Sequence, residues 1–109
     1  MKVLLNGKTV AAVYNNGTRP TLVNYNVIEE IRDKILQTKT MFNTISGVTE
    51  SGGKIQIKLQ IGEIEDIIEA HVIKNNQFQY DLLIGLDAIS KFRLSQDENL
   101  QIHQNVTNI

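Results

Sequence analysis

Cysteine is absent from the chain, which excludes disulfides, zinc–thiolate centres and thiol catalysis. Proline occurs once, as Pro20, so the strands and helices implied elsewhere are free of that breaker. Neither charge dominates: Lys and Arg number 11, Asp and Glu 12, and the formal net charge is −1. No cluster of basic residues is interleaved with aromatics, so nucleic acid is not an expected partner. Long apolar runs are missing too. The opening "MKVLLNGKTV" breaks at Asn6-Gly7, too early for a signal peptide or a membrane span. The expected compartment is therefore the cytoplasm or nucleus, with no membrane partner. The only histidines, His71 and His103, have no third ligand at suitable spacing. The expectation is no metal and no cofactor.

What is present is an ordinary globular composition, 41% hydrophobic and 21% charged. The 109 residues read as a single domain, residues 1–109, of a size that often gains stability by dimerising.

Period-two alternation dominates the pattern. "KIQIKLQIG" puts Ile55, Ile57, Leu59 and Ile61 on one strand face, and "GEIED" reads as the turn after it. "IIEAHVIK" returns with Ile68, Ala70 and Val72 inward and His71 outward, on the surface. Glu63, Glu65, Asp66 and Glu69 lack the offsets of a calcium loop and read as a solvated strand edge. "KVLL" and "TVAAV" form a hairpin about Asn6-Gly7. In "NVIEEIRDKILQ", Asn26 as N-cap, Glu29 three residues on and a Glu30–Lys34 pair predict the main helix. "LLI" reads as a strand buried on both faces, ended by Gly85 and followed by a short helix in "LDAISKF". Asp87 is expected to be structural and Asp81 a solvated strand-end residue. "RLS" and "LQIHQ" close the chain as a hairpin, and "SGVTESGGK" is expected to be a mobile hairpin tip.

The order of these elements resembles the retropepsin-like aspartic proteases of retroviruses, retrotransposons and their domesticated descendants. "AAV" leads into "NNGT", where that family has Asp-Thr/Ser-Gly-Ala, and "LLIGLDAI" looks very like its second signature. The resemblance implies a mostly β fold, a closed barrel-like acid protease with one main and one short helix. It places Asn15 at the family's catalytic Asp, with Asn16, Gly17 and Thr18 completing the turn. It also implies a flap at Ser46, Gly47, Val48, Thr49, Glu50, Ser51, Gly52 and Gly53. A homodimer is implied, with Val3, Leu5, Leu100, Ile102 and Ile109 covered at its interface.

In the family two facing carboxylates share a proton, one acting as base on water and the other as acid. An Asn amide does not titrate near neutral pH and cannot take that role. The resemblance, with Asn15 in that place, therefore implies an inactive pseudoprotease, retroelement-derived, serving homodimerisation or the binding of an extended peptide or protein. Two alternatives stand beside it. One is an active retrotransposon-type aspartic endopeptidase whose Asp at position 15 was changed to Asn. The other is a β-rich interaction module unrelated to proteases.

Overall fold

The computed structural model describes residues 1–44, 47–74 and 78–106. Strand β1 (Lys2–Leu5) turns at Asn6-Gly7 into β2 (Lys8–Tyr14), as expected. Both turn residues have positive φ, 48° and 84°, the geometry for which Asn-Gly is suited. β3 (Thr21–Asn24) follows, then a hairpin of β4 (Thr40–Thr44) and β5 (Gly47–Ser51). Next come the long strands β6 (Lys54–Ile61) and β7 (Ile64–Ile73) and the short β8 (Leu82–Ile84). Helix α1 (Leu86–Lys91) and the hairpin β9 (Leu94–Gln96)–β10 (Ile102–Gln104) complete the described chain.

Six strands close into a barrel in the order β1-β2-β8-β3-β7-β6. The seam is the antiparallel β1–β6 pair, Leu4 opposite Gln60 and Leu5 opposite Leu59. β8 runs parallel to β2 and antiparallel to β3, so it separates two strands that are consecutive in sequence. The alternating apolar residues of β6 and β7 fill the barrel with Val3, Leu5, Leu82 and Ile84. On the other side of β8, Leu83 joins Leu22, Ile73 and Phe78 in a second cluster. Two cores served by alternate residues explain the unbroken apolar run "LLI".

The expected main helix is helical, but as 3₁₀ turns and not as a regular α-helix. The segment forms two 3₁₀ turns, Tyr25–Val27 and Glu29–Lys34, with Ile28 and Ile31 outside helical geometry. Its cap is Asn24, whose Oδ1 accepts the Asn26 N–H at 2.9 Å. Two forces oppose the α-helix. The Tyr25 carbonyl accepts the Ile28 N–H at 3.4 Å, an i to i+3 bond, together with the Arg32 guanidinium at 3.2–3.3 Å, which holds the tighter turn. Val27, Ile28, Ile31 and Ile35 are β-branched and stiff, and Ile28 is wholly buried. Leu36 is then drawn into an extended bridge with Lys54. Glu30 reaches Lys8 at 3.8 Å rather than Lys34.

Three smaller expectations are also revised. The β6–β7 turn is only Gly62-Glu63, with the strand resuming at Ile64. β7 is no edge: β3 and β6 flank it, and its carboxylates face cations, Glu65 to Lys58 at 3.5 Å and Glu69 to Lys54 at 3.8 Å. Thr49, Glu50 and Ser51 belong to strand β5 and not to a hairpin tip.

Candidate functional site

The turn after β2 is built by its neighbours. The Asn15 backbone N–H donates to the Ile84 carbonyl at 2.9 Å, extending the β2–β8 ladder by one residue. Asn15 Oδ1 accepts the Gly17 N–H at 3.0 Å, and Nδ2 donates to Thr18 Oγ1 at a long 3.4 Å. Asn15 and Thr18 are buried, 7% and 8% exposed, while Asn16 and Gly17 are exposed at the tip.

The far side of the turn is bolted to the start of α1. Leu86 N–H donates to the Thr18 carbonyl and Asp87 N–H to the Arg19 carbonyl, both at 2.9 Å. Thr21 is the hub. Its buried hydroxyl donates to Asp87 Oδ1 at 2.8 Å and accepts the Gly85 N–H at 3.1 Å. Gly85 is required by close approach, since a Cβ there would overlap the Pro20 carbonyl oxygen. Sequence reasoning missed Thr21 and the Gly85–Pro20 contact. A polar residue opening an apolar strand was the available signal for the first.

Asp87 thus acts on structure, taking Thr21 Oγ1 and the Ala88 N–H. Asp81 does more than cap a strand end in water: its Oδ2 accepts the Ala11 N–H at 3.2 Å. His71 is a correction, being half-buried, with Nδ1 3.3 Å from Ser51 Oγ. Burial, followed by the nearby Lys54 charge, pushes its pKa below the ordinary value. The adjacent Ser and His do not form a nucleophile–base pair. Ser51 is fully buried, and its hydroxyl donates to the Gly53 carbonyl at 2.8 Å.

The residues expected in an interface divide. Val3 and Leu5 are buried in the chain's own barrel, because they alternate inward along β1, and have no surface left for a partner. Leu100 is 72% exposed, and Ile102 is half-buried. Ile109 lies outside the described residues, as does Ser46 of the expected flap. Gly47, Val48, Thr49, Glu50 and Ser51 lie in β5, and Gly52 and Gly53 join it to β6. Ser51 and Gly53 anchor this base: Gly53 N–H donates to Ser51 Oγ at 3.1 Å, and its carbonyl accepts the Val72 N–H at 2.8 Å. Among the described residues no group of three or more His, Asp or Glu could hold a metal ion. No described helix is long and apolar enough to cross a membrane.

The architecture is shared with solved structures. The chain is similar to the retroviral protease-like domain of Ddi1 from Leishmania major, with a TM-score of 0.71 and 19% identity over 98% of this chain and 87% of that one. This is the retropepsin-like fold. It is likewise similar to a retropepsin-like aspartic protease from Rickettsia conorii, at TM-score 0.67 and 15% identity over 94% of this chain and 77% of that one. With EIAV protease the TM-score is 0.62 and the identity 12%, over 84% of each chain. At these identities the likeness is one of fold. No family model and no curated protein matches the chain in sequence. The Asn15 turn follows the end of β2 beside the end of β8, and its residues 15–18 carry no carboxyl group.

Proposed function

We propose that this chain is a catalytically inactive retropepsin-like domain, retroelement-derived, that acts as a homodimerising or peptide-binding module. The observation that carries the reading is Asn15. Its side chain is buried and bonded to Gly17 and Thr18, and it offers neither a base for water nor an acid for a peptide carbonyl. The strand edges outside the closed barrel support a binding role. β4–β5 and β9–β10 are two-stranded, and such pairs gain stability from a third strand.

A second reading rests on the same turn. A carboxylate at position 15 could accept both the Gly17 N–H and the Thr18 hydroxyl, so the geometry suits an Asp whose replacement left the fold intact.

The test is incubation with a diverse peptide library from acidic to neutral pH, together with sedimentation across concentration. The expected result is no cleavage and reversible dimers. Turnover surviving removal of contaminating proteases overturns the inactivity, and a monomer at every concentration overturns the dimer. Asn15→Asp is expected to give weak activity at most, because Asn16 stands where a hydroxyl would help lock the paired turns. Full activity in that variant would favour the second reading.

A further inference from the structure

Two Asn-Gly pairs occur in the chain, Asn6-Gly7 and Asn16-Gly17, and the fold treats them differently. In such a pair the next backbone nitrogen can attack the asparagine's own side-chain carbonyl carbon, because glycine has no Cβ to obstruct the approach. Asn6 is restrained against this. Its Oδ1 accepts the Lys58 N–H at 2.7 Å, and its backbone N–H donates to the Lys58 carbonyl at 2.8 Å. The side chain is therefore turned towards β6. The Asn16 side chain has no such restraint: it is exposed, and no hydrogen bond or ion pair holds it among the described residues. Gly17 is exposed as well; its N–H donates to Asn15 Oδ1 at 3.0 Å, a bond at the exposed turn that must open before its nitrogen attacks.

We propose that Asn16 is a site of spontaneous deamidation, which installs a carboxylate in a turn whose residues 15–18 carry none. The Gly17 nitrogen forms a bond to Asn16 Cγ and loses its proton. The Cγ–Nδ2 bond breaks, and the side-chain nitrogen leaves as ammonia. Water then opens the cyclic imide at one of its two carbonyls, giving Asp or an isoaspartyl link. No oxidant or reductant takes part. Either product adds a negative charge beside the Asn15 amide. The isoaspartyl link also lengthens the backbone between Asn15 and Gly17, which disrupts the hydrogen bond that closes the turn. The modification does not depend on the dimer. Where two copies meet at this turn, it sets like charges against each other.

The experiment is peptide mapping by mass spectrometry after prolonged incubation of the folded chain at neutral pH. An enzymatic assay for isoaspartyl groups is run alongside. The peptide containing residue 16 is expected to show amide-to-acid conversion several-fold faster than the peptide containing residue 6. In urea the two rates are expected to converge. Gly17→Ala supplies the second variant: its Cβ would stand 3.3 Å from Asn15 Oδ1, which a small shift accommodates. This change is expected to slow conversion at residue 16 several-fold and leave residue 6 unaffected. Equal rates in the folded chain overturn the proposal, as does a difference between the sites that persists unchanged in urea.

Discussion

Thr21 and Asp87 are joined hydroxyl to carboxylate at 2.8 Å, and through them the start of β3 is fastened to the first turn of α1. The same hydroxyl receives the Gly85 N–H, so one buried oxygen serves two elements. Replacing it should therefore cost more than one ordinary hydrogen bond. Thr21→Val leaves the buried Gly85 N–H without its acceptor and is expected to destabilise the fold by about 1–3 kcal/mol. Thr21→Ser should retain most of that stability. Urea denaturation of the three proteins measures both, and a Val variant as stable as the parent would refute the hub.

Gly85→Ala should be worse tolerated than its size suggests. The new methyl meets the Pro20 carbonyl and not a yielding side chain. Overpacking of this kind costs about 1–3 kcal/mol, and more where backbone must move. Thermal unfolding of the variant checks the expectation; an unchanged midpoint would contradict the close approach.

Leu100 holds a left-handed backbone, φ 62°, while its side chain is 72% exposed. For a residue with a Cβ that conformation costs about 1–2 kcal/mol, and Asn tolerates it better. Leu100→Asn should stabilise the isolated chain by up to about 1 kcal/mol. If a second copy covers Leu100, the same change should weaken association in sedimentation, so the two measurements are expected to move in opposite directions.

His71 makes stability depend on pH. Its folded pKa lies below the ordinary 6.5, chiefly through burial and then through Lys54. Between the folded and unfolded values the unfolded chain binds more protons, so acid favours unfolding in that window. The His71 contribution should be intact above about 6.5, fall as pH drops towards the folded value, and level off below it. His71→Asn keeps a donor for Ser51 without a titrating ring. Its stability profile should lose this slope; denaturation midpoints across the window decide it.

Most of the barrel could be read from the residues because alternation is local. Ile55, Ile57, Leu59 and Ile61 declare their face within one strand, and all are buried. Asn6-Gly7 likewise carries its own turn geometry. The failures came where distant groups decide. The segment after Asn24 has α-helical spacing, yet it winds as 3₁₀ turns, with Arg32 also on the Tyr25 carbonyl, and Lys54 draws Leu36 into an extended bridge. Val3 and Leu5 were legible as apolar, but their inward direction depends on β1 closing the barrel against β6. At the candidate site the chemistry of Asn15 was visible in its side chain. The bolts that hold its turn, Thr21 and Gly85, act through contacts more than sixty positions away in sequence and left no local pattern.

The late arrival of β8 governs how the chain can assemble. Ala11 and Asp81, which meet where β8 enters the barrel, are 70 positions apart. A growing polypeptide that ends after β7 holds β2 and β3 with an empty seat between them. Neither the main core nor the smaller cluster about Leu83 can then be completed. The entropy of closing so long a loop is spent before β8 returns any contact. Folding should therefore be slow for a domain of this length, in the range of milliseconds to seconds typical of non-local β topologies. It should complete only once Leu82, Leu83 and Ile84 have cleared the ribosome.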